Sequence, residues 1–105
     1  MKLLTKEILS KLPPIGSDDG EDPMIICKFF TADAGWTWYV TEGEREDNGD
    51  FIFYGYVVGP FPEWGTFRLS EMEGIRGHLG LPVERDLHFR PQRFSELRIA
   101  LRNQV

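Results

Sequence analysis

Trp36-Thr37-Trp38-Tyr39-Val40-Thr41-Glu42, an acidic stretch, and then Phe51-Ile52-Phe53-Tyr54-Gly55-Tyr56-Val57-Val58-Gly59 decide the fold of this chain. Both runs are rich in aromatic and β-branched residues, which suit a pleated and partly buried surface. In the first run Trp36, Trp38 and Val40 share one face at period two, and Thr37, Tyr39 and Thr41 share the other. In the second, Phe51, Phe53 and Val57 oppose Ile52, Tyr54, Tyr56 and Val58. A strand apolar on both sides reads as a central strand covered above and below. Between the runs lies Gly43-Glu44-Arg45-Glu46-Asp47-Asn48-Gly49-Asp50, in which Asn48-Gly49 is a tight-turn signal. The pair is expected to form a β-hairpin at the centre of a sheet, with an acidic tip projecting into water. Gly55 marks a bulge or a place where an aromatic ring crosses the backbone.

Working outward, Thr5 is placed to cap a helix over residues 6–12, whose Ile8, Leu9 and Leu12 form an apolar stripe. Pro13-Pro14 ends it, and residues 15–23 read as an exposed acidic loop. Residues 24–31 form the strand before the hairpin. Residues 64–69 form the one after it. Ser70-Glu71-Met72-Glu73 matches a capping box opening a short helix over 71–77. Residues 83–89 alternate imperfectly and suit an edge strand. Ser95 is placed to cap a last helix over 96–102, with Arg98 and Arg102 outward. The expected architecture is α+β: a four- to five-stranded, mainly antiparallel meander, with short helices at the N-terminus, after strand 4 and at the C-terminus, packed on one face.

At 105 residues the chain suits a single domain, 1–105, with one modest core. An apolar fraction of 41% and an aromatic fraction of 13% exclude disorder. No apolar run reaches the ~20 residues of a membrane span. The opening lacks the apolar core of a signal peptide, and one cysteine, Cys27, makes no internal disulfide. These features point to the cytoplasm and to no membrane association. Net charge is −5, but residues 1–75 carry a balance of −8 and residues 76–105 one of +3, all of the latter's bases being arginine. Such a balance argues against direct nucleic-acid binding.

No motif carries an evident chemistry. His78 and His88 have no zinc-ligand spacing, and Glu42, Glu44, Glu46, Asp47 and Asp50 lack the oxygen spacing of a calcium loop, so neither metal nor cofactor is expected. Cys27 reads as inert core filling. A cluster of Glu84, Arg85, Asp86 and His88 could supply the acid and base groups of a small hydrolase, but such a run more often forms ion pairs that pin a strand or loop. Trp36, Trp38, Tyr54 and Tyr56, together with Tyr39, Phe61 and Trp64, exceed what a small core hides and are candidates for a binding patch. The acids Glu44, Glu46, Asp47 and Asp50, and the charged run Glu84, Arg85, Asp86, are further binding candidates.

Four segments carry a resemblance: MKLLTKEILSKLPP (1–14), KFFTADAGWTWYVTEGE (28–44), DFIFYGYVVG (50–59) and GLPVERDLHFRP (80–91). Together they resemble the domain-of-unknown-function family 2958. The resemblance implies small bacterial proteins of plasmids, phages and other mobile elements, near genes of conjugation and anti-restriction. It carries no catalytic residue across. The expected function is therefore a non-enzymatic accessory module that binds a protein partner, with an acidic surface contacting a DNA-binding host protein as its sharpest form. A small hydrolase and a structural homodimer joined through a sheet edge are the alternatives.

Overall fold

The computed structural model describes residues 1–17 and 21–103. In chain order these residues form α1 (Lys6–Lys11), β1 (Met24–Ile25), β2 (Cys27–Thr31), β3 (Thr37–Arg45), β4 (Phe51–Val58), β5 (Pro62–Arg68), α2 (Leu69–Gly74), β6 (Val83–Arg85), β7 (Gln92–Arg93) and α3 (Phe94–Arg102). Five strands make an antiparallel sheet in the order β5-β4-β3-β2-β6, and β1 pairs with β7 in a small ribbon beside it. The fold is α+β with the meander the sequence implies. Among the described residues no helix is long and apolar enough to cross a membrane.

The central hairpin forms as read, with Trp38 opposite Val57 and Tyr39 opposite Tyr56. Its first strand runs further than expected, since Gly43, Glu44 and Arg45 also lie within β3 and the turn tightens to residues 46–50. Gly49 takes φ +90° there, and Asn48 Oδ1 accepts from Asp50 N–H at 3.0 Å. The expected strand over 24–31 breaks at Ile26, whose N–H still donates to β3, at the Val40 carbonyl opposite Cys27, at 2.8 Å. The expected strand over 83–89 shortens to β6. Beyond it Asp86 begins a turn, accepting from His88 N–H through its side chain at 2.9 Å.

Helices cover both faces of the sheet rather than one. On the first face α1 and α2 pack Ile8 and Met72 over Phe29, Val40, Phe51 and Phe53, all of which are buried. Each buried phenylalanine there contributes about 1.5–3 kcal/mol. The exposed ion pairs are worth about 0–1 kcal/mol each, so this face holds the sheet together. On the second face α3 packs Leu97, Phe94 and Leu101 over Ile25, Tyr39, Tyr56 and Val58. Sequence alone cannot assign a helix to a face, because β4 is apolar on both.

The helices also begin earlier than their serines suggest. Arg68 and Arg93 occupy the cap positions, and Ser70 and Ser95 sit in the first turn. The backbone N–H groups of both arginines donate to Glu71 and Glu96 three residues on, at 3.0 and 3.4 Å. One further first-turn donor of each helix is met by a carboxylate from a distant loop. Asp50 accepts from Ser70, and Asp22 from Ser95, each through both N–H and Oγ. At α1 Thr5 is the cap, accepting from Ile8 N–H at 3.2 Å.

One irregularity governs the side chains of β3. Val40 faces Gly55, but the next partner of the ladder is Glu42 with Tyr54, so Thr41 is an extra residue, a β-bulge. Unbroken pairing would set Glu42 opposite Phe53, in the sealed core. The bulge puts Gly43 there instead, where the Phe51 ring and Leu12 fill the space of any side chain. Gly55 marks this bulge from the opposite strand: a methyl on it would collide with the Tyr39 carbonyl. The ring that crosses a glycine is Trp36, over Gly59.

Gly55→Ala is therefore expected to destabilise by about 1–3 kcal/mol through overpacking. Gly65, its partner on β5, has open space at the same position. Gly65→Ala should change stability by less than about 0.5 kcal/mol or raise it slightly. Urea unfolding of the two variants beside the unaltered protein checks the contrast, and equal losses would contradict the bulge geometry.

Candidate functional site

The first face of the sheet is covered by α1 and α2. The second is closed only in part, because α3 lies over Tyr39 and Tyr56 and stops short of the bulged end of β3. The gap between α3, the strands and the residues Ile15, Gly16, Glu21 and Pro23 is a cleft of about 490 Å³. Thr41, Glu42, Tyr54, Trp64, Phe94 and Arg98 line it, with Ile15, Gly16, Glu21 and Pro23 on the far side.

Its wall is a continuous set of rings. Tyr54 and Trp64 stack with centroids 5.8 Å apart and planes 20° apart. Trp64 meets Phe94 edge-to-face at 4.8 Å, and Phe94 meets Tyr56 at 5.0 Å. Such contacts hold each ring in place beyond its burial alone. Trp64 nevertheless keeps 37% of its surface exposed. Sheet register explains the set: Tyr54 and Tyr56 share the second face of β4, and Trp64 lies opposite Tyr56 on β5.

At the base stands Glu42, only 3% exposed. Its carboxylate accepts from Gly16 N–H at 3.1 Å and Ser17 Oγ at 3.4 Å. Two further bonds dock the same chain segment onto β3: Gly43 N–H to the Pro13 carbonyl at 3.0 Å, and Ile15 N–H to Glu44 Oε1 at 2.8 Å. Thr41, the bulged residue, gives its hydroxyl to the Tyr54 carbonyl at 3.1 Å. Glu21 stands at the mouth. The Arg98 guanidinium lies 5.9 Å from the Phe94 ring centre, a cation–π contact at the rim. The cleft thus brings together partly exposed aromatic rings, a buried carboxylate and the exposed Arg98 guanidinium.

The candidates read from sequence fall in different places. Tyr54 and Tyr56 belong to this wall. Trp36 and Trp38 lie on the opposite face, stacked at 5.9 Å, with Trp38 only 6% exposed and packed on Phe67. The acids do not form one solvated tip. Glu44 holds Ile15, and Glu46 takes a two-pronged contact from Arg68 at 2.7 and 3.1 Å. Asp50 anchors α2, while Asp47 is exposed. Among the described residues no group of three or more His, Cys, Asp or Glu converges as a metal site would require.

Glu84, Arg85, Asp86 and His88 border a shallow depression at the β6 edge. Glu84 pairs with Phe30 and Arg85 with Phe29, so their side chains leave opposite faces of the sheet. Arg85 Nε donates to the Lys2 carbonyl at 3.2 Å, and Asp86 sits 3.5 Å from Lys28 Nζ. Burial pushes the Cys27 thiol up to about 12, so it stays protonated.

Glu42, Trp64, Phe94 and Arg98 were not singled out together by sequence reading. One signal was present. Continuing the Trp38, Val40 alternation puts Glu42 among core residues, and a carboxylate in phase with a core announces a register break.

The loop-borne anchors of the helices give a pH signature. Hydrogen bonds from the Ser70 hydroxyl and the Phe51 N–H hold Asp50 below the ordinary 3.8, and the Ser95 N–H and hydroxyl do the same for Asp22. A carboxyl depressed in the folded state stabilises above its unfolded value and ceases to do so as pH falls through its folded value. Asp50→Asn and Asp22→Asn should therefore each lower the melting temperature at pH 7. That deficit should hold down to about pH 5 and close below about pH 4. Thermal melts from pH 7 to pH 2 check this, and a deficit that persists undiminished at pH 2 would contradict it.

Comparison with curated proteins and with solved structures finds no match. The family described as "Protein of unknown function (DUF2958)" matches residues 3–101, which include every element from α1 into α3. On that match over nearly its whole length, and with the fold now described, the chain belongs to the DUF2958 family.

Proposed function

We propose that this protein is a non-enzymatic binding module of a mobile genetic element, and that it holds a protein partner through the cleft beside α3. One observation carries the reading: a wall of Tyr54, Trp64 and Phe94 is left open over a buried carboxylate. Half-exposed aromatics fixed by their neighbours are the residues on which binding energy concentrates in interfaces. Rigid rings also lose little freedom on binding. The mobile-element setting is supported by the resemblance of the four segments.

A second reading puts the contact at the hairpin tip, as an acidic surface presented to a DNA-binding host protein. The balance of −8 over residues 1–75 favours it. Weighing against it, Glu46 and Asp50 are already engaged within the fold.

Capture from host lysate by immobilised protein separates the two. Trp64→Ala and Tyr54→Ala should each weaken a captured partner by about 2 kcal/mol, roughly thirtyfold, with the melting temperature recorded alongside. The Glu46→Gln, Asp47→Asn double variant should retain it. Capture that survives both ring substitutions and fails with the tip variant would overturn the cleft reading.

A further inference from the structure

We propose that the outer edge of β5 is a dimerisation surface, and that its occupant is β5 of a second copy of this chain, paired antiparallel about a twofold axis at Gly65. β5 ends the sheet, with β4 on one side and no strand on the other. The hydrogen-bond phase of the ladder fixes which backbone groups face outward. Gly43 N–H turns away from β4 to the Pro13 carbonyl, so Gly43 and Phe53 are a pair without mutual hydrogen bonds. Phe53 therefore directs its own backbone groups to Phe67 on β5. By alternation Pro62, Trp64, Thr66 and Arg68 point theirs outward. Both ends of the strand agree. Pro62 has no N–H to leave unpaired there, and the Arg68 N–H donates to Glu71 Oε1 at 3.0 Å. Trp64 and Thr66 remain, each with an outward N–H and carbonyl that meet no partner among the described residues.

This edge is complementary to itself. Centred on Gly65, a second β5 sets Trp64 opposite Thr66 of the second copy, and Thr66 opposite its Trp64. Both are hydrogen-bonding pairs, so every outward group of Trp64 and Thr66 on the two edges is used. Centring on Trp64 instead would set Thr66 against Pro62, which has no N–H, and leave the Thr66 carbonyl unpaired. The two Gly65 residues meet at the axis as a non-hydrogen-bonded pair, the closer kind, and no heavy atom lies within 4 Å of where a side chain would begin. No like charges oppose one another, because Glu63 faces Phe67 and Arg68 faces Pro62. On the second face the two Trp64 rings, partly exposed in the single chain, become diagonal neighbours across the axis. The exposed Phe61 falls opposite Leu69, where α2 of the second copy begins. The other edge of the sheet offers no such row. β6 is three residues long, and Met1 Sδ accepts from its Arg85 N–H at 3.1 Å. An uncovered edge with matched donors and acceptors is a template for strand pairing, and a twofold axis closes it after one partner. The dimer does not depend on the cleft being a binding surface, but it would set two clefts on one continuous sheet.

Sedimentation equilibrium of the full chain from about 1 µM to about 1 mM covers the affinity of so small an interface. The average mass should climb toward twice that of the chain. Thr66→Pro removes an outward N–H at a place where an edge strand tolerates proline, and should weaken self-association at least about tenfold. Its thermal melt in dilute solution reports folding. Register is read with cysteine. A non-hydrogen-bonded pair has its Cα atoms about 4.5 Å apart, within disulfide reach. Gly65→Cys should therefore form a linked dimer with oxidised glutathione. Glu63→Cys, facing Phe67 of the second copy, should not. Cys27 is buried and does not compete. If Thr66→Pro does not fold, the two cysteine variants decide. A chain monomeric up to about 1 mM, undiminished association in Thr66→Pro, or Glu63→Cys linking as readily as Gly65→Cys would each overturn the β5 dimer. A monomer whose capture of a host protein fails in folded Thr66→Pro would assign the edge to a strand of that protein, and would overturn the dimer too. Capture that depends on Trp64 and Tyr54 leaves the cleft reading standing whatever the mass.

Discussion

The extra residue in β3 is the constraint on which the rest depends. Side chains alternate strictly along a strand, so inserting one residue transfers everything beyond it to the opposite face. Ahead of Thr41 the even-numbered residues Trp38 and Val40 point into the sealed core; beyond it the even-numbered Glu42 and Glu44 point to the other side. Without the shift a carboxylate would meet Phe53, which is fully buried, and an uncompensated charge there costs many kcal/mol. With it, Gly43 slips beneath Phe51, and Glu42 becomes the base of the cleft. One local irregularity thus completes the core and creates the polar end of the site together.

The acidic residues have a second use. Glu42 and Glu44 dock the chain after α1, Glu46 clasps Arg68, and Asp50 and Asp22 supply the first turns of α2 and α3. Apart from Glu46, which takes the Arg68 side chain, each of these carboxylates meets donors that a helix end or a turning loop leaves unpaired. Two similar strings, Arg68-Leu69-Ser70-Glu71 and Arg93-Phe94-Ser95-Glu96, solve the same problem in the same way. Much of what reads as net negative charge is therefore hydrogen-bonding capacity spent inside the fold. For α3 this matters to the site, because the Asp22–Ser95 contact sets where Phe94 and Arg98 stand.

The strands were legible because their signal is local. Period-two alternation in residues 36–42 and 51–58, and Asn48-Gly49 between them, specify a hairpin without reference to anything distant. Tyr54 and Tyr56 were visible as a pair on one face for the same reason. Trp36 and Trp38 were equally visible, yet they pack away from the cleft, and nothing local separates a ring that lies across Gly59 from one that lines a site. The caps were misplaced because their partners, Asp50 and Asp22, are 20 and 73 residues away from the serines they hold.

What the amino-acid order determined by itself was the set of elements and the two faces of each strand, since those follow from backbone sterics and side-chain spacing within a few residues. Only the tertiary structure decided which helix covers which face, where the ladder skips, and that Glu42, Trp64, Phe94 and Arg98 surround one space. These depend on a β4 apolar on both sides, which accepts a helix on either. They depend also on a carboxylate whose burial is tolerable only where the folded chain returns donors to it.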